Sequence, residues 1–328
     1  MSIVAELVAR LGAGERRALA RLLSLVEDGD RERVRAVVEL LHPPAGRAEV
    51  VGLTGAPGAG KSTLAAALVA AWRRQGRQVA VLAIDPSSPL TGGALLGDRI
   101  RLQAHALDDG VYVRSMASRG HAGGLAWAAP HALAVLDAAG FDVVLLETVG
   151  VGQGEVEVAT VADATVVAVA PGMGDAVQAA KAGVLEVGDV LCVTKADLPG
   201  AERTVAELED AQRDGGLAAT PVLRTSALAG EGVDELVEAL SALRADRPRD
   251  PAHCPRRRAR AQLQVREIVV DATPQRVDDD LSKENYSVVF LQSNETSTGI
   301  YNPLNELLPI IKDSGALICI DATSSMAG

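Results

Sequence analysis

Aromatic side chains make up only 2% of this 328-residue chain, although 48% of it is hydrophobic. Its core must therefore be built from Ala, Val and Leu rather than from rings. Positive charge is also short. The 32 Lys and Arg residues face 43 Asp and Glu, a net charge of −11. That balance argues against a nucleic-acid partner, because neutralising phosphates needs a basic face. No apolar run approaches the length that spans a bilayer, so no membrane partner is expected. The three cysteines, Cys192, Cys254 and Cys319, lie far apart without metal-ligand spacing. Cys192 and Cys319 sit inside apolar strand patterns and read as core residues. The opening MSIVAELVARLGAGERR lacks the layout of a signal peptide, so a reducing cytoplasm is expected.

Asparagine is missing altogether from residues 1–262, where the only lysines are Lys61, Lys181 and Lys195. The style then changes: Asn285, Asn294, Asn302, Asn305, Lys283, Lys312, Tyr286 and Tyr301 appear in quick succession. Between the two styles lies RPRDPAHCPRRRARAQ, a Pro- and Arg-rich linker leading into a helix. Its Arg256-Arg257-Arg258-Ala259-Arg260 run reads as the solvated start of that helix rather than as a patch for an anionic partner.

What is present is periodic. Residues 3–11, 15–27 and 30–41 carry helical spacing with Arg and Glu on the polar face, and Pro43-Pro44 stops them. Strand patterns follow at 48–54, 79–84, 111–115, 143–147, 165–170, 189–194 and 221–225, alternating with helices. The expected fold class is α/β, a mostly parallel sheet flanked by helices, with its functional site at the carboxyl ends of the strands. The expected division is a helical extension over 1–46, a phosphate-loop domain over 47–246, a linker and helix start over 247–275, and a foreign fragment over 276–328.

The run Gly55-Ala56-Pro57-Gly58-Ala59-Gly60-Lys61-Ser62 is a complete Walker A loop. It sits between a strand pattern and a helix pattern that continues through Thr63, and that context points backbone N–H groups and a helix dipole at a phosphate chain. Lys61 is the point charge for β- and γ-phosphate oxygens, and the Ser62 hydroxyl is a natural Mg²⁺ ligand. The strand Val143 to Leu146 runs into Glu147-Thr148-Val149-Gly150. Glu147 is the expected acidic partner of Mg²⁺ and Gly150 the N–H that senses a γ-phosphate; the plain alternative is a solvated strand-end glutamate.

After the strand at 189–194, Thr194-Lys195-Ala196-Asp197 resembles the Asn-Lys-x-Asp guanine-reading motif of GTPases, with Thr194 in place of Asn. Asp197 is the expected acceptor for two donors on the guanine edge, a demand that adenine cannot meet. The Lys195 stem covers the base, and Thr225-Ser226-Ala227 matches the loop that backs the guanine oxygen. The alternative is an ATP-using relative in which the 194–197 match is accidental.

On these motifs the chain resembles the methylmalonyl-CoA mutase-associated GTPases of the MeaB/ArgK type, over about residues 10–268. The Walker A run, Asp85-Pro86-Ser87-Ser88, Gly97-Asp98-Arg99-Ile100-Arg101, Glu147-Thr148-Val149-Gly150-Val151-Gly152-Gln153 and Pro171-Gly172-Met173-Gly174-Asp175 carry the resemblance. It implies a phosphate-loop GTPase that binds GTP or GDP with Mg²⁺. Asp85 joins Ser62 and Glu147 around the metal, Asp98 belongs to a first switch, and Lys181 matches a further signalling region, the alternative being an ordinary surface lysine. Gln153 follows the second switch glycine, a position from which it can orient the attacking water, although the resemblance does not settle that role. It also implies a partner, a cobalamin-dependent acyl-CoA mutase whose adenosylcobalamin loading and protection the GTPase gates. Family members are homodimers held by a C-terminal helical arm, and the foreign tail is expected to weaken that dimer. The alternatives are a nickel-delivery GTPase, for which His105, His121 and His131 are not spaced as ligands, and a kinase tied to basic amino-acid transport.

In the tail, 287–292 and 316–320 read as strands, with a helix from Pro303 to Ser314 between them. Asn294 to Gly299 and Asp321-Ala322-Thr323-Ser324-Ser325 resemble class V pyridoxal-phosphate-dependent aminotransferases, in which an aspartate at the position of Asp321 pairs with the pyridinium nitrogen. No lysine follows Asp321 in this sequence, so transaminase activity is not expected. A βαβ fragment of this size buries too little to be stable alone, and it reads as a fusion or joined gene fragment.

Overall fold

A computed structural model of the chain describes residues 3–28, 31–41, 47–85, 105, 107–117, 128–148, 154–172, 187–214, 220–246 and 256–257, together with the backbone of short strands between 288 and 321. The side chains of 31–32, 85, 117, 154–157, 214 and the strands beyond 288 lie outside that description. The chain divides into two compact units, Met1–Arg260 and Ala261–Gly328.

The first unit opens with three amphipathic helices, α1 (Ile3–Gly12), α2 (Arg16–Asp28) and α3 (Arg31–Leu41). Val4, Leu7 and Leu11 of α1 recur at three- and four-residue steps and are buried, as are Leu19, Leu22, Leu23 and Val26 of α2. The rest of the unit alternates: β1 (Glu49–Thr54), α4 (Lys61–Arg74), β2 (Val79–Asp85), β3 (Val111–Ala117), α5 (Ala128–Ala138), β4 (Val143–Thr148), α6 (Gly154–Val161), β5 (Ala164–Val169), β6 (Val190–Val193), α7 (Ala201–Asp214), β7 (Val222–Arg224) and α8 (Val233–Asp246). All seven expected strands form, within a residue or two of their sequence bounds.

They make one sheet in the order β3-β2-β4-β1-β5-β6-β7, with every pairing parallel. Strands buried on both faces read as continuous apolar runs, which is why Val-Val-Leu-Leu and Val-Leu-Cys-Val segments recur. One face, with Ala80, Leu82, Ile84, Val144 and Leu146, packs against α5 and the N-terminal helices in a single cluster. The other, with Val51, Leu53, Val81 and Leu145, packs against α4 and α8, where Trp72 is the largest buried side chain. The N-terminal helices thus share a core with the sheet. Cys192 on β6 is fully buried, as its apolar setting predicts, and burial pushes its thiol up to about 12.

The amino ends of the strands hold ionic ties. Glu49, 2% exposed, receives Arg77 at 2.9 Å and Arg244 at 3.2 Å. Two residues of the basic run also arrive here. Arg256 pairs with Asp189, and Arg257 donates to Asp163 at 2.8 Å while itself only 7% exposed. For these two residues the reading of a solvated helix start is overturned. The Asp163 and Asp189 carboxylates already accept the N–H groups of Val50 and Thr165, and their remaining charge draws in the guanidinium groups.

In the second unit β8 (Val288–Gln292) pairs in parallel with β11 (Leu317–Asp321), so both expected tail strands form. A small antiparallel pair, β9 (Asn294–Glu295) with β10 (Ile300–Tyr301), lies between them in sequence. The expected helix from Pro303 to Ser314 falls outside the described residues. Among the described residues no helix is long and apolar enough to cross a membrane.

Leu22 of α2 is fully buried, whereas Leu107 is 98% exposed. Leu22→Ala should lower unfolding free energy by about 2–5 kcal/mol in urea titration, and Leu107→Ala by less than about 0.5 kcal/mol.

Candidate functional site

Strand β1 lies between β4 and β5, and this placement assembles the site. Register sets Leu53 of β1 opposite Glu147 of β4, and Thr54 opposite Val167 of β5. The chain then enters the phosphate loop through Gly55, whose φ is 136°. A Cβ there would lie 2.2 Å from the Ala168 carbonyl oxygen, so β5 presses on the loop too closely for any side chain. The loop closes at Gly60, a left-handed N-cap with no side-chain capping bond, so the α4 N-terminus keeps its N–H groups for an anion.

Lys61 and Ser62 are both buried in the first turn of α4. The Lys61 Nζ curls back over the loop and donates to the carbonyls of Gly55 at 2.6 Å and Ala56 at 3.0 Å. Ser62 Oγ donates to Glu147 Oε1 at 2.8 Å. Glu147, 3% exposed, is therefore no solvated strand-end residue; it belongs to β4 and points at the helix that follows the loop. A hydroxyl and a carboxylate brought to one point are hard oxygen donors of the kind that suits Mg²⁺. Asp85 ends β2, on the far side of β4 from β1, with its side chain outside the described residues. Asp98, Gly150, Gln153 and Lys181 also lie outside the described residues.

The residues expected to read the base gather at the exit of β6. Lys195 has φ 51°, the one positive value for a non-glycine among the described residues, and its Nζ donates to the Gly58 carbonyl at 2.8 Å. Ala196 N–H donates to Thr225 O at 3.0 Å, joining this loop to the one after β7. There Ser226 Oγ donates to Asp197 Oδ1 at 2.6 Å, while Ser226 and Glu231 exchange backbone bonds that close the Ala227 loop. The Ser226 hydroxyl, and then the backbone N–H of Asp197 itself, hold the Asp197 carboxyl below the usual carboxylate range. Asp197 is exposed, so this charge stands ready at the surface.

Thr194 is the exception within its motif. It is 3% exposed and its hydroxyl bonds the Ala59 carbonyl at 2.5 Å, behind the phosphate loop. Ala56, Pro57 and Thr63 sit where the sequence put them, on the loop and in the first turn of α4. The part played by Ala168, whose backbone presses on Gly55 of the loop, carried no sequence signal, because any apolar strand would read alike.

A family model described as methylmalonyl Co-A mutase-associated GTPase MeaB matches residues 19–282, and a class-V aminotransferase model matches residues 252–328. A relative from Pyrococcus abyssi named as a GTPase is 41% identical over 320 residues, covering 95% of this chain and 98% of its own length. The mouse methylmalonic aciduria type A homolog is 36% identical over 243 residues, covering 68% of this chain and 59% of its own. A crystal structure titled LAO/AO transport system kinase superposes with TM-score 0.62 at 25% identity, covering 95% of this chain and 98% of that one.

Because its pKa is depressed, Asp197 stays ionised as pH falls, and protonates only below the ordinary carboxylate range. Ser226→Ala removes the main cause. Guanine-nucleotide binding, followed by calorimetry through the acid range, should then be lost at a higher pH than in the parent protein.

Proposed function

As a member of the methylmalonyl-CoA mutase-associated GTPase family, to which it belongs, this chain is a phosphate-loop GTP hydrolase that takes GTP or GDP with Mg²⁺, and we propose that it serves as the chaperone of a cobalamin-dependent acyl-CoA mutase. In this reading its nucleotide state gates the loading of adenosylcobalamin and protects the loaded mutase. The description of the matching family and the name of the mouse relative support the partner class.

The roles proposed here rest on the contacts of the described residues and, for Asp85, Asp98, Gly150 and Gln153, on the family resemblance. The N–H groups of Gly55 to Ser62 and the α4 dipole hold the phosphates. The Lys61 ammonium exchanges the Gly55 and Ala56 carbonyls for β- and γ-phosphate oxygens, because a charged oxygen outcompetes a neutral one for the same donor. Ser62 and Glu147, joined by Asp85, would hold Mg²⁺, which when bound withdraws charge from the phosphate oxygens. Asp98, Gly150 and Gln153 are the residues that answer to the γ-phosphate, with Gln153 orienting water. On the other side of the loop, Asp197 takes the two donors of the guanine edge, the Lys195 stem lies over the base, and Ser226 and Ala227 back its oxygen. The observation that carries guanine preference is the Ser226–Asp197 bond, which keeps Asp197 an acceptor only.

Two measurements test this. Adding a methylmalonyl-CoA-type mutase to the full-length protein should raise its GTP turnover, and an unchanged rate would remove the chaperone reading while leaving the GTPase intact. Asp197→Asn should shift preference from GTP toward XTP, since the amide can donate to the xanthine oxygen; an unchanged preference would remove Asp197 as the selector.

A further inference from the structure

Three strands of the sheet are each preceded by an aspartate, and the three aspartates act alike. Asp163, before β5, donates its N–H to Val50 O at 2.7 Å while its Oδ2 accepts the Val50 N–H at 3.0 Å. Asp189, before β6, donates to Thr165 O at 2.8 Å and accepts the Thr165 N–H at 2.8 Å. Asp142, before β4, donates to Gln78 O at 2.9 Å and accepts the Gln78 N–H at 2.8 Å. Each clasp fixes one residue of a strand against one residue of its neighbour, so a slip by one position would break both bonds. The clasps set β1 against β5, β5 against β6, and β2 against β4.

Two of the three are closed further by consecutive arginines. Arg257 donates to Asp163 Oδ2 at 2.8 Å, and Arg256 to Asp189 Oδ2, in each case the oxygen that also accepts the strand N–H. The Asp163 and Asp189 side chains are 14% and 8% exposed, and a carboxylate so shielded from water holds its N–H bond best with a positive charge beside it. Neighbouring strands lie about 4.8 Å apart, a span that two successive long side chains cover. The Asp142 clasp serves β2 and β4, on the other side of β1 in the sheet order.

The strands tied by the arginines are those that build the nucleotide site. The phosphate loop leaves β1, the Ala168 carbonyl of β5 presses on Gly55, and the residues expected to read the base leave β6. We infer that Arg256 and Arg257 are positioning residues, a strap that holds the registers of β1, β5 and β6 from their amino ends and so makes nucleotide affinity depend on the segment after α8. This rests on the nucleotide reading of the site. The second compact unit begins at Ala261, so the strap lies at the joint through which that unit is attached.

The test uses the full chain carrying Arg256→Gln and Arg257→Gln together. Amide hydrogen exchange at Val50 and Thr165 should quicken about tenfold, with Gln78 within about twofold of the parent. The KM for GTP should rise about tenfold with kcat within about twofold, because Glu147 stands on β4, outside the strap. Arg256→Gln alone should quicken Thr165 and leave Val50 near the parent rate, and it decides the matter if the double variant does not fold. Arg256→Lys with Arg257→Lys keeps both charges and should return KM to within about threefold of the parent. Unchanged exchange at Val50 and Thr165 would overturn the inference. So would faster exchange with a parent-like KM, a lysine pair as weak as the glutamine pair, or equal quickening at Gln78 with a fall in kcat, which is general loosening. Failure of the parent protein to bind GTP would remove the nucleotide reading itself, whereas the exchange rates test the clasps without nucleotide.

Discussion

Parallel pairing of β1 with β4 on one side and β5 on the other is the constraint on which the site depends. Because the strands are parallel, all their carboxyl ends lie along one edge, and because β1 is central, the loop that leaves it is walled on both sides. From β4 comes Glu147, which meets Ser62. From β5 comes the Ala168 carbonyl, which admits only glycine at position 55. Shifting β4 by one residue would turn Glu147 to the opposite face of the sheet and leave Ser62 without this partner.

The opposite edge is organised by charge. Glu49, Asp163 and Asp189 lie at or just before the amino ends of β1, β5 and β6, and each receives an arginine from a remote part of the chain. Arg77 and Arg244 converge on Glu49, so α8 is tied to the first residue of the central strand. Arg256 and Arg257 bring the residues after α8 back under β5 and β6. These pairs are largely buried, where the loss of one partner costs far more than at a surface pair. At this edge Arg77, Arg244, Arg256 and Arg257 are each used against a specific carboxylate.

The two ends of the sheet differ in what they ask of the backbone. At the amino edge, carboxylates accept N–H groups and fix the strands. At the carboxyl edge the Gly58 and Ala59 carbonyls of the loop accept side-chain donors from the β6 exit. Lys195, held in a left-handed conformation, belongs to the second arrangement. Its strain is offset by the bond from its side chain to the loop.

Composition, periodicity and motif spacing determined by themselves the α/β class, the seven strands, the Walker A loop and the break in style near residue 262, because each of these is written in residues close together in sequence. The tail strands at 288–292 and 317–321 were legible for the same reason. Only the tertiary structure decided that the Thr194 hydroxyl bonds the Ala59 carbonyl, that Glu147 is buried against Ser62, and that Arg256 and Arg257 are clamped. Those contacts join residues 135, 85, 67 and 94 positions apart. No local pattern encodes them; they exist because the sheet order places β4 and β5 beside β1 and β6 beside β5, and a hydrogen bond is set by which ends meet in space.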